Sequence, residues 1–211
     1  MKQHKKRAFV YVGGEFFASD ITERPQPEDL TIAADSGWQT AQALDVRPAV
    51  LLGDFDSLHT IPAVSQLIRY PAHKDYTDAQ LAVQFALEHG SEEITIVGGL
   101  GGRIDHTLSC LAILEDLDGK GVRGRVLNGK NEVLFLRGPA HLSIQKGTYT
   151  YLSLLTLDAQ AEGITLQGCA YPMDDAVLRR GCQYAVSNRI VDARAELTLQ
   201  KGALYIICAK D

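Results

Sequence analysis

Up to about residue 127, short apolar runs alternate with stretches of helical period; beyond Asn128-Gly129 the helical period disappears. That change limits the fold more than any other feature. Ala8 to Val12, Thr31 to Ala34, Ala49 to Leu52, Leu67 to Pro71 and Ile94 to Val97 read as strands, the fourth broken by its proline. Between them Trp38 to Leu44, the stretch opened by Thr77, and Thr107 to Leu117 read as helices. Strands alternating with helices indicate an α/β domain with an open, mostly parallel sheet, here residues 1–128. From 129 to 211 strand-like runs follow one another: Val133 to Leu136, Tyr149 to Leu155, Gly163 to Leu166, Arg194 to Leu199 and Leu204 to Ala209. Turn signals at Gly138-Pro139, Lys146-Gly147 and Lys201-Gly202 separate them, so this half reads as an all-β sandwich domain. Only Asp174 to Arg180 is expected to hold a helical turn.

The first-half strands end in polar chemistry. Val50-Leu51-Leu52 runs into Gly53-Asp54-Phe55-Asp56-Ser57. If the chain stays extended there, a period of two puts Asp54 and Asp56 on one side. Two carboxylates about 4 Å apart repel by roughly 4 kcal/mol at an effective dielectric near 20. A hard divalent cation such as Mg2+ offsets that cost, whereas a lone acidic turn is simply solvated. The second strand ends at Asp35-Ser36-Gly37, and Ile94–Val97 runs into Gly98-Gly99-Leu100-Gly101-Gly102-Arg103-Ile104-Asp105-His106. Strand, glycine-rich loop and helix make a common phosphate-handling unit, although this loop is neither a Walker A sequence nor a dinucleotide fingerprint. Arg103 suits bidentate contact with a phosphate, Asp105 suits a ribose or an amine, and His106 reads as a local hydrogen-bonding residue. In Lys74-Asp75-Tyr76-Thr77-Asp78, Thr77 and Gln80 form a capping-box pattern. Asp78 in the first turn also suits the helix dipole, so a structural role competes there with a ligand role. In open α/β sheets ligands bind beyond the carboxyl ends of the strands, which is where these residues fall.

The formal net charge of −5 leaves no electrostatic footprint for nucleic acid. No stretch approaches a membrane span. The basic cluster Lys2, Lys5, Lys6, Arg7 precedes an apolar run too short for a signal peptide. Cys110, Cys169, Cys182 and Cys208 lack paired spacing and are expected to be reduced core residues of a cytoplasmic protein.

Taken in order, Asp35-x-Gly37, Gly53-Asp54-Phe55-Asp56-Ser57, Lys74-Asp75-x-Thr77-Asp78, Gly102-Arg103-x-Asp105-His106 and Ser187-Asn188 resemble the thiamine pyrophosphokinase family. The resemblance runs from about residue 8 to the C-terminus and includes Gly168-x-x-Tyr171-Pro172. It implies an α/β nucleotide-binding domain followed by a β-sandwich, and transfer of pyrophosphate from ATP to thiamine with release of AMP. It also implies a Mg2+-dependent homodimer with composite active sites. Asp54, Asp56 and Asp78 would hold Mg2+, and with Arg103 form the catalytic set. Asp35, Gly37, Lys74, Thr77, Asp105 and His106 would face the nucleotide, and Ser187-Asn188 the thiamine. Phosphoryl transfer needs positioning and charge neutralisation, so the lack of a Ser/His/Asp or Cys/His set is no objection.

Two departures from the family bear on the substrate pocket. Ser36 and Trp38 replace a glycine and a small residue, and Arg189-Ile190 stands where relatives often carry an acid and an aromatic. Other readings are a pyrophosphokinase acting on another small alcohol and a nucleotide or thiamine sensor without catalysis. A haloacid-dehalogenase-type phosphatase fits less well. Its Asp-x-Asp motif wants an apolar residue before the first Asp and Thr or Val four residues after it; here these are Gly53 and Leu58.

Overall fold

The structure is a computed structural model and describes residues 6–55, 64–71 and 75–211. Asp56, Ser57 and Lys74 lie outside the described residues. The chain divides into two compact units, Met1–Gly129 and Lys130–Asp211.

In the first unit the strands are β1 (Arg7–Tyr11), β2 (Leu30–Ala34), β3 (Val50–Gly53), β4 (Gln66–Arg69), β5 (Glu93–Val97) and β6 (Arg123–Leu127). They pair in the order β4-β3-β2-β1-β5-β6, every pair parallel. Strand order therefore reverses at β1, which lies between β2 and β5. Registers align Tyr11 with Ala33 and Val97, and Ala33 with Leu51, so these side chains share one sheet face. That face is covered by Ala41, Leu44 and Val46, from and just after helix α1 (Gly37–Ala43), together with Ile21. The opposite face carries α3 (Ile104–Gly119), whose Leu114 and Leu117 press on Gly124 of β6. Cys110, Ile113, Leu114 and Leu117 recur at helical spacing and are all buried, the amphipathic stripe that drives this packing. α2 (Asp78–Glu88) packs beside α3 and buries Leu81, Ala82, Phe85 and Ala86.

The second unit contains β7 (Asn131–Arg137), β8 (Ala140–Gln145), β9 (Tyr151–Thr156), β10 (Gln160–Gln167), β11 (Met173–Arg179), β12 (Arg194–Leu199) and β13 (Ala203–Ala209). β13 lies between β7 and β9, antiparallel to both. A separate antiparallel sheet runs β11-β10-β12-β8. One core joins the two sets of strands, with Leu152, Leu154, Leu204 and Ile206 from the first and Ile164, Leu166, Leu178 and Leu197 from the second.

Three expectations need correction. Asp174 to Arg180 is not a helical turn but most of strand β11. Ala176 pairs with Ile164 and Leu178 with Ala161, so the spacing of inward residues is two. Asp175, at φ 45°, and irregular pairing with β10 conceal that alternation in the sequence. The backbone is not extended through the Asp-x-Asp stretch, because Phe55 sits at φ 64° with its ring buried. Period-two geometry therefore does not apply there. Finally, Cys182 is exposed; the other three thiols are buried. Burial pushes Cys110 up to about 11 and Cys208 up to about 12, which keeps them protonated and inert.

Candidate active site at the carboxyl edge of the parallel sheet

Glycines let the loops leaving β1, β2 and β5 close against one another. Gly99 N–H donates to Gly13 O at 2.9 Å, and Glu15 N–H donates to Leu100 O at 3.0 Å. A Cβ on Gly98 would lie 2.4 Å from Val12 O, and one on Gly37 would lie 2.0 Å from Tyr11 O. No side chain fits at either position. The second contact seats the start of α1 directly on the end of β1. Thr40 holds it there by donating its hydroxyl to Val12 O at 2.9 Å.

Asp35 and Asp54 leave neighbouring strands. Asp35 N–H still donates to Leu52 O at 2.8 Å, and Asp35 takes φ 46°. Gly53, at φ 147°, has space for a Cβ only 3.1 Å from the Asp35 Cβ, so the two strand ends lie side by side. Asp54 follows half-buried. Phe55 then turns into the core under the Arg69 guanidinium, which stands 5.2 Å from the ring centroid. Arg69 is the register partner of Gly53, and Tyr70 N–H donates to Gly53 O at 2.9 Å. Arg69 is thus a cation at this acidic edge that sequence reading passed over. Its only signal was a charge at the end of a strand that ends early at a proline.

The start of α2 belongs to the same edge. Its other end leads through Gly90 into β5, and Glu92 N–H donates to Lys6 O just before β1, which places that end at the amino edge. The capping box expected at Thr77 is present. Thr77 Oγ1 accepts from Gln80 N–H at 3.2 Å, and Gln80 Oε1 accepts from Thr77 N–H at 2.9 Å. Asp78 is the first helical residue and half-buried. Among the described residues no three Asp, Glu, His or Cys side chains gather into a metal-binding group. Asp54 and Asp78, both half-buried, offer hard carboxylate oxygens, which is chemistry that suits Mg2+.

At the start of α3, Arg103 and Asp105 face each other. Arg103 Nε donates to Asp105 Oδ1 at 3.1 Å and Nη2 to Oδ2 at 2.5 Å. Both side chains are largely exposed, and the Arg103 fork holds the Asp105 carboxyl below its usual range. His106 engages Asp105 through its backbone N–H at 2.9 Å, and its ring is exposed. Gly102 has open space around it.

In the second unit, Asn188 is 6% exposed and its amide makes three hydrogen bonds. Oδ1 accepts from Tyr171 N–H at 3.0 Å and from Arg189 N–H at 2.8 Å, and Nδ2 donates to Tyr171 O at 2.7 Å. Ser187 is exposed at φ 57°, its N–H donating to Ser153 Oγ at 3.0 Å. Tyr171, Val186 and Val191 are exposed apolar side chains of the same unit, and the Arg189 guanidinium stands 5.4 Å over the Tyr151 ring.

The fold defines a class: an α/β unit built on an open parallel sheet, a kind of sheet that binds ligands beyond the carboxyl ends of its strands, continued by an all-β unit. Residues 24–123 match the family described as "Thiamin pyrophosphokinase, catalytic domain", and residues 141–204 match "Thiamin pyrophosphokinase, vitamin B1 binding domain". A Bacillus subtilis thiamine pyrophosphokinase is 29% identical over 199 residues, covering 91% of this chain and 92% of the relative. The crystal structure of thiamine pyrophosphokinase from Bacillus subtilis superposes with a TM-score of 0.87 at 26% identity, covering 98% and 100% of the two chains. That of an Enterococcus faecalis thiamin pyrophosphokinase family protein gives 0.78 at 27%, with the same coverage. The chain belongs to the thiamin pyrophosphokinase family.

Proposed function

We propose that this protein transfers the pyrophosphoryl group of ATP to thiamine, giving thiamine diphosphate and AMP. The observation that carries the reading is the match of both family domains, in order, one within each compact unit. In the reaction the thiamine hydroxyl oxygen bonds to the β-phosphorus. The bond from that phosphorus to the α-phosphate oxygen breaks, AMP leaves, and the hydroxyl proton passes to water. Asp54, Asp56 and Asp78 would hold Mg2+, which when bound supplies neutralisation of the polyphosphate charge. Arg103 adds a guanidinium at the same edge, released from Asp105 or presented together with it. Asp35, Gly37, Lys74, Thr77, Asp105 and His106 face the nucleotide. The second unit is a β-sandwich, and its exposed Ser187 beside Tyr171 receives thiamine; Asn188 acts by holding the Tyr171 backbone. The protein works as a cytoplasmic homodimer whose active sites draw on both subunits. No helix among the described residues is long and apolar enough to cross a membrane.

The test is incubation with ATP, Mg2+ and thiamine, scoring nucleotide and thiamine products together. Thiamine diphosphate and AMP in equal amounts are expected. Thiamine monophosphate with ADP would place the attack on the wrong phosphorus, and no thiamine product from an otherwise active protein would point to another alcohol.

A further inference from the structure

We propose that Glu15 is a specificity-determining residue that reads a ribose hydroxyl of the nucleotide; this rests on the ATP-dependent reading above. Glu15 follows Gly13-Gly14 on the loop after β1, the strand at which sheet order reverses. Its backbone is pinned to the glycine-rich loop by the bridge to Leu100 and the 3.0 Å bond from Glu15 N–H to Leu100 O. Its carboxylate rests on Gly101, where an added Cβ would lie 2.4 Å from Glu15 Oε2 and 2.9 Å from Glu15 Cβ. Gly101 takes φ 76°, so both the conformation and the contact call for glycine there. The carboxylate is exposed, and among the described residues it accepts no hydrogen bond and joins no ion pair. Arg103, the nearest cation along the loop, is turned to Asp105.

An unneutralised carboxylate repels phosphate, so the polyphosphate is not its partner. It is an acceptor only, which suits a neutral donor such as a sugar hydroxyl. In dinucleotide-binding α/β folds an acid beyond the second strand takes that role. Here the corresponding acid, Asp35, lies against Gly53 on the side of Asp54. Asp105, the other acid on this loop, is held by the Arg103 fork, which leaves Glu15 as the unpaired acid beside the glycine-rich loop at the strand-order reversal.

The experiment compares ATP, 2′-deoxy-ATP and 3′-deoxy-ATP on the wild type and on Glu15→Ala, by kcat/KM and by calorimetric Kd. The wild type is expected to disfavour one deoxynucleotide by about tenfold or more, the scale of a hydrogen bond to a charged group. Glu15→Ala should weaken ATP by the same factor and leave that deoxynucleotide unchanged. Equal weakening of all three nucleotides, or no change in any, overturns the assignment. Calorimetry keeps the two readings apart. A wild type that binds no nucleotide sinks the ATP-dependent reading and this proposal together. Tight ATP binding without hydroxyl discrimination sinks this proposal alone.

Discussion

Neighbouring residues in this protein differ sharply in burial and bonding, and two substitutions separate the proposed ligand role from the architectural one. Ser187 and Asn188 are adjacent, but only Asn188 is buried with its amide engaged. Asn188→Ala removes three part-buried hydrogen bonds to the Tyr171 and Arg189 backbone and should cost about 1–3 kcal/mol in urea unfolding. Ser187→Ala should leave stability unchanged and raise KM for thiamine. Equal stability losses for the two would remove the distinction. At the acidic edge, Asp54→Asn should preserve the fold and lower turnover about a hundredfold or more, the scale of removing one preorganised electrostatic group. Normal turnover at limiting Mg2+ would show that Asp54 is not a ligand. Asp105 adds a pH marker. Its folded-state pKa is depressed, chiefly by the hydrogen bonds from Arg103. A depressed carboxyl contributes above its unfolded pKa and loses that contribution as pH falls through the folded value. The Asp105 carboxylate that Arg103 engages is therefore ionised at neutral pH and is lost only in acid. Arg103→Gln should move the Asp105 titration midpoint upward, read by NMR of the side-chain carboxyl.

At the scale of elements, α2 joins a cap to an acid whose role is separable from it. Thr77→Ala breaks the capping box and should cost about 1 kcal/mol, seen as a lower Tm. Asp78→Asn is expected to lose activity with little change in Tm. A clear stability loss with intact turnover would make Asp78 a helix-terminus residue only. The capping box was legible because its two bonds span three residues and need no tertiary partner. β5, the glycine loop and α3 were legible for a related reason: apolar run, glycines and helical stripe follow one another without interruption. What was hidden depends on distant partners. β8 draws its register from β12, some fifty residues later, and β11 carries a left-handed Asp175 that breaks its alternation. The turn of Phe55 into the core answers to the ring's burial and the Arg69 guanidinium, neither of which the Asp-x-Asp spacing encodes.

For the whole molecule, the candidate residues for nucleotide and metal all lie in the first compact unit, whereas Ser187 lies in the second. The proposed homodimer predicts that one subunit's first unit works with its partner's second. In a two-fold dimer each patch meets its counterpart twice, so two equivalent composite sites arise. Take one variant carrying Asp54→Ala and another carrying Ser187→Ala with Tyr171→Ala, each confirmed inactive and folded alone. Unfolding and refolding them together in equal amounts pairs subunits at random, and about half the dimers are then mixed. In a mixed dimer one site receives both lesions and the other receives none. Roughly a quarter of full activity should therefore return. If each site were built within one chain, every site would carry a lesion and nothing would be recovered. Native mass spectrometry that finds mixed dimers as inactive as their parents would refute the shared site, and finding only monomers would refute the dimer.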